Sequence, residues 1–130
     1  MRAVIPTLVA VREVEADLTL HGTAKAGEFL VVVHLVDAGG RRIPTDAVSL
    51  PVVADRLPLP GILLPSVSGV TNVTLRFQTS SPAATVQLEL VDWRQETTAA
   101  LGLSVQNVHW RAESANGVHA AGLLEEGDWE

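Results

Sequence analysis

Four histidines, His21, His34, His109 and His119, are the side chains best suited to bind a metal or carry a proton. No two of them stand two, three or four residues apart, so the chain holds no local metal-ligand motif. A site built on His34 and His109 would need the fold to bring two distant strands together. Glu13, Glu15 and Asp17 occupy alternate positions of one stretch. Carboxylates at that spacing would hold a cation or serve as an acid–base pair in glycoside hydrolysis, and they equally describe a solvated strand face. Ser49, Ser66, Ser68, Ser80, Ser81, Ser104 and Ser114 are the available hydroxyl nucleophiles, and none lies in a Gly-x-Ser-x-Gly elbow. No phosphate-binding glycine loop occurs; Gly39-Gly40 reads as a turn. We therefore expect no catalytic residue, no metal and no cofactor. The aromatic side chains are Trp93, Trp110, Trp129, Phe29 and Phe77, with no tyrosine. Trp93 and Trp110 sit at strand ends, where a ring either plugs the core or stacks on the apolar face of a sugar. Trp129, surrounded by acids, suits a docking element or a disordered end.

The elements that must carry these residues are extended. Val14–Leu20, Thr71–Gln78, Thr85–Leu90 and Leu101–Gln106 alternate apolar and polar residues with a period of two. That pattern gives each strand one dry and one wet face. No comparable stretch repeats apolar residues at helical spacing. Val9 and Val11 are out of phase with Val14–Leu20, which predicts a bulge near Arg12-Glu13. A second phase change falls near Gln106-Asn107. Phe29–Val36 is apolar on both faces apart from His34, as in a strand covered on two sides. Asp37–Gly40 signals a turn, and Arg41–Leu50 returns as a weaker edge interrupted at Pro44. Val70–Gln78 and Thr85–Val91 read as a strand pair joined by the turn-rich Thr79–Ala84. Val118–Leu124 offers a final strand. About seven or eight short strands in this length predict an all-β fold, a two-sheet antiparallel β-sandwich of immunoglobulin-like or jelly-roll-like kind. The sandwich is placed in residues 1–110, with 111–130 as an acidic tail or final edge strand.

Composition narrows the function classes. The 130 residues fit one domain with a core of its own. The net charge is -6, of which -4 falls after Trp110, so the basic footprint of a nucleic-acid binder is missing. Eight of the nine basic residues are arginine, scattered as codon bias in a GC-rich genome would leave them. Cysteine is absent, which excludes disulfides and fits a reducing, cytoplasmic setting, although secreted bacterial domains also lack it. Apolar runs fall short of a membrane span, and Pro6 interrupts the only stretch resembling a signal peptide.

Pro51–Ser68 stands apart. Pro51, Pro58, Pro60 and Pro65 exclude a regular helix, yet Val52, Val53, Leu57, Leu59, Ile62, Leu63 and Leu64 are too apolar for a solvated loop. Such a segment folds over the core or meets another surface. Leu57, Leu59, Ile62, Leu63 and Leu64 are accordingly the candidate interface, with a protein partner or a second copy as its occupant.

Two segments carry a family likeness. Leu30–Ile43 joins a hydrophobic strand to the turn Asp37-Ala38-Gly39-Gly40-Arg41, and Ala83–Trp93 is a second strand closing on tryptophan. This order resembles the β-sandwich accessory domains that precede catalytic domains in some bacterial glycosyltransferases, over Leu20 to Trp93. Leu57-Pro58-Leu59-Pro60-Gly61 departs from it where a tyrosine-bearing segment is expected. The resemblance implies an accessory module and carries over no catalytic residue. The function expected is a non-catalytic module for packing, oligomerisation or docking. A glycan-binding module using Trp93 or Trp110 is the second expectation, and a small metal-dependent enzyme the third.

Overall fold

The strand with the clearest alternation lies at the centre of one sheet. A computed structural model describes residues 1–6, 10–44, 47–49, 61–92, 97–98 and 102–130. Its strands are β1 (Arg2–Ile5), β2 (Val11–Ala24), β3 (Leu30–Val36), β4 (Val48–Ser49), β5 (Gly61–Leu63), β6 (Val67–Ala83), β7 (Thr85–Asp92), β8 (Thr97–Thr98), β9 (Leu103–Ser114) and β10 (His119–Glu125). One sheet runs β1-β7-β3-β5, with β8 also on β7; the other runs β10-β9-β2-β6-β4. All pairings are antiparallel. From β1 to β7 each strand lies in the opposite sheet from the one before it, an alternation typical of jelly rolls. The fold is the expected all-β sandwich, and no described helix is long and apolar enough to cross a membrane.

Alternation decides what enters the core. Val14, Ala16, Leu18 and Leu20 of β2 face inward, with Leu75 and Phe77 of β6 and Val105, Val108, Trp110 and Ala112 of β9. The opposing layer supplies Ala3, Ile5, Val31, Val33, Leu35, Val86, Leu88 and Leu90. Both phase changes are irregularities of register. Arg12 is the extra residue between the pairs Val11↔Ser114 and Glu13↔Glu113, and Gln106 between Thr19↔Asn107 and Leu20↔Val105. β3 is buried on both sides, as its composition requires. Leu30 and Val32 point away from the inter-sheet core yet are as covered as Val31 and Val33.

Glycine is required where a neighbour comes too close for any side chain. A Cβ on Gly22 would lie 1.9 Å from the Gly102 carbonyl oxygen, the atom that accepts the Thr23 amide at 2.9 Å. On β10, a Cβ on Gly122 would lie 2.6 Å from the Trp110 ring. Trp110 thus lies flat beneath β10 and is 4% exposed.

The structure corrects two expectations. Thr79–Ala84 is not a hairpin turn. β6 continues to Ala83, and β7 starts at Thr85 in the other sheet, so the two segments never pair. The other concerns the C-terminal end, whose acids are solvated but whose tryptophan is not. β9 continues past Arg111 to Ser114, and β10 forms the final edge strand. After a 3-10 turn at Glu126–Asp128, the chain returns to the first sheet. There the Arg2 amide donates to the Glu130 carbonyl at 2.9 Å and the Glu130 amide to Arg2 at 2.8 Å. Trp129 is 8% exposed and belongs to the core, not to a docking tail. Truncating it to alanine should therefore destabilise the whole domain by about 3 kcal/mol, read as a lower denaturant midpoint at constant slope. An unchanged midpoint would show that the tail is not part of the fold.

Candidate functional site: an open sheet edge

The expected site residues disperse. Ile62 and Leu64 lie in the inter-sheet core, where they serve as internal packing, and Leu63 is half-buried beside Leu30. Leu57, Leu59 and Trp93 lie outside the described residues. Trp110 is sealed in the core, where neither face of its ring can meet a sugar. His34 and His109 stand on opposite outer faces of the sandwich with the core between them, so they form no shared site. Among the described residues no group of three potential ligands gathers around one point.

Two charged clusters occupy the outer faces. On the first sheet, Glu89 is a carboxylate only 8% exposed. It accepts Arg2 Nε at 2.6 Å and bonds His34 Nε2 at 3.1 Å. Register explains the meeting: Arg2 and Val32 flank Glu89 on either side, and His34 is one same-face step along β3. Burial pushes the Glu89 pKa up, but the hydrogen bonds and charges of Arg2 and His34 outweigh it and hold it below the ordinary range. On the second sheet the row Glu13, Glu15 and Asp17 is the wet face of β2. Glu15 is clamped between Arg76, at 2.8 Å, and Arg111. Asp17 accepts Thr74 Oγ1 at 2.8 Å and lies 3.5 Å from Arg111. The row is thus largely committed to neighbouring strands. Both clusters cross-link strands on a surface and have the form of structural ion pairs.

The unfilled demand lies at a sheet edge. β6 pairs with β2 along almost its whole length. On its other side β4 covers only Gln78 and Thr79. Among the described residues nothing else pairs with that side along Val67–Phe77. The usual protections are missing there: the stretch holds one charged residue, Arg76, and no lysine or proline. Val70, on the outer face of this edge, is 62% exposed, and Val73 on the inner face is half-buried. Sequence reasoning found the strand but not its place in the sheet, because one strand's alternation carries no record of its neighbours.

Compared with protein-family models, with curated proteins and with solved structures, the chain matches none.

The Glu89 cluster generates a pH prediction. A carboxyl whose folded pKa lies below its unfolded value of 4.5 contributes stability that is complete above that value. The contribution is lost as pH falls through the lowered folded value. Wild-type protein should therefore lose more stability than Glu89→Gln between about pH 5 and about pH 3 in urea titrations. Parallel losses in the two proteins would show that the cluster does not favour the charged carboxylate.

Proposed function

We propose that this chain is a non-catalytic β-sandwich docking module that binds protein by strand addition along β6. The observation that carries the reading is that no described residue pairs with the outer side of β6 along Val67–Phe77. Such an edge offers a ladder of main-chain donors and acceptors to any extended segment, and side-chain complementarity then selects among segments. Outer-face Ser68, Val70, Asn72 and Thr74 are small or medium-sized, so an incoming strand meets few bulky side chains. An accessory role also agrees with the resemblance to domains that accompany glycosyltransferase catalytic domains. The docking surface in this reading differs from the one expected on Leu57–Leu64, because Ile62 and Leu64 are used inside the fold.

A display library of extended peptides, selected against the chain, tests the reading. Selected peptides should lose at least about tenfold in affinity for a Val70→Lys, Thr74→Lys variant, because charge at an edge discourages pairing. The variant's melting temperature should stay near wild type, since Val70 and Thr74 are exposed and the change gives up only the surface hydrogen bond from Thr74 to Asp17. Leu123→Lys, on the exposed outer face of β10, should bind as wild type does. Equal binding to the edge variant, or a library yielding no binder, would overturn the reading.

A further inference from the structure

We propose that Asn116-Gly117, at the tip of the β9–β10 hairpin, is a site of self-modification, where Asn116 cyclises onto the backbone and reopens as aspartate and isoaspartate. The chain has three asparagines, and the residue after each sets them apart. Gly117 follows Asn116, whereas valine follows Asn72 and Asn107. Cyclisation requires the backbone nitrogen of the next residue to reach the side-chain carbonyl carbon. Glycine has no Cβ to obstruct that approach and the widest choice of backbone angles. Valine, branched at Cβ, is bulky and stiff at the same place.

The fold sharpens the difference. Asn72 lies within β6 and Asn107 within β9, where the ladder holds the backbone extended. The Asn72 side chain accepts Thr19 Oγ1 at 3.2 Å, and the Asn107 side-chain oxygen is buried. Asn116 lies beyond the ladder. Ala115, Asn116 and Gly117 are exposed and form the loop between Ser114 and Val118. The Ser114 amide donates to the Val118 carbonyl at 2.9 Å, and the Gly117 amide to the Ser114 carbonyl at 3.0 Å. Gly117 takes the left-handed φ of 77 that a three-residue hairpin loop favours at its last position. Among the described residues the Asn116 side chain has no hydrogen-bond partner, so nothing holds it away from the backbone. Ser114 is the latch. Its hydroxyl accepts the Asn116 amide at 3.3 Å and the Val118 amide at 3.1 Å, and its carbonyl holds the nitrogen that must attack. The reaction therefore proceeds from the opened turn.

The steps balance without a cofactor. The Gly117 nitrogen bonds to Asn116 Cγ, the Cγ–Nδ2 bond breaks, and ammonia leaves with the proton of the Gly117 amide. Water then opens the cyclic imide. Cleavage at Cγ gives aspartate; cleavage at the Asn116 main-chain carbonyl carbon gives isoaspartate. Both products add a negative charge beside Glu113, and isoaspartate also lengthens by one methylene the loop that carries β10 back over Trp110.

Peptide mapping of the full chain, aged in mildly alkaline buffer, tests the proposal. Cleavage after arginine and lysine puts the three asparagines in separate peptides, Ala112–Glu130, Gln95–Arg111 and Leu57–Arg76. The asparagine of Ala112–Glu130 should convert at least about tenfold faster than the other two, which are fixed in strands and followed by valine. Ser114→Ala removes two bonds that close the turn and should speed conversion about fivefold. Aged wild-type protein should accept methyl groups from S-adenosylmethionine through a protein isoaspartate methyltransferase. Aged Asn116→Gln, which keeps an exposed amide but would need a larger ring, should not. Conversion of Asn116 no faster than that of Asn72 and Asn107 overturns the proposal, as does equal methylation of aged wild type and Asn116→Gln. An unchanged rate in Ser114→Ala overturns the opened turn as the reacting state.

Discussion

The molecule is built on the two-sided backbone pairing of β2. Its residues hydrogen-bond to β6 on one side and β9 on the other, and Val14, Ala16, Leu18 and Leu20 project from it into the core. A long central strand requires long neighbours, because each buried amide and carbonyl must find a partner. β6 and β9 meet that need at 17 and 12 residues. β9 is covered in turn by β10, which pairs with it from Asn107 to Glu113. On its other side β6 has, among the described residues, the two of β4. Among the described residues, the strand that β2 needs is thus longer than the strand that pairs with its other side.

The first sheet treats its edge differently. β1 is short, and the returning C-terminal end pairs with it at Arg2 through Glu130. Trp129 anchors that return in the core, and Arg2 also holds Glu89 from the outer face. One residue therefore joins the closing of an edge to the neutralising of a half-hidden carboxylate. The contrast with β6 gives the docking reading its direction, since the described residues close one edge and leave the other without a partner along Val67–Phe77.

Much of the local structure is legible in the residues. The alternation of Val14–Leu20 marks β2 and its buried face, and the phase slips at Arg12 and Gln106 mark the two bulges. The two-sided apolarity of Leu30–Val33 correctly signals a strand with no wet face. Non-local pairing is where sequence reading stops. Thr79–Ala84 has the composition of a turn, yet its residues stay extended and carry the chain to the other sheet. Trp129 sits among acids, and nothing nearby in sequence reveals that Ala3 and Leu124 belong to the same core. The apolar, proline-flanked composition around Ile62 and Leu64 fits both a cover for the core and a surface for a partner, and these two residues take the first role. How far β6 is paired on its outer side is hidden for a related reason: it depends on the neighbouring segment, not on β6.

Residue-resolved hydrogen exchange on dilute, monomeric protein tests the central claim most directly. In an antiparallel edge strand, successive amides point alternately toward the neighbour and away from it. If β6 pairs only with β2, protection along Val70–Phe77 must alternate, every second amide slow and those between exchanging freely, while interior β2 amides, with partners on both sides, are protected without alternation. Uniform protection along β6 in the monomer would mean that its outer side is already covered, and uniformly fast exchange would mean that its ladder with β2 does not form; either result contradicts the account.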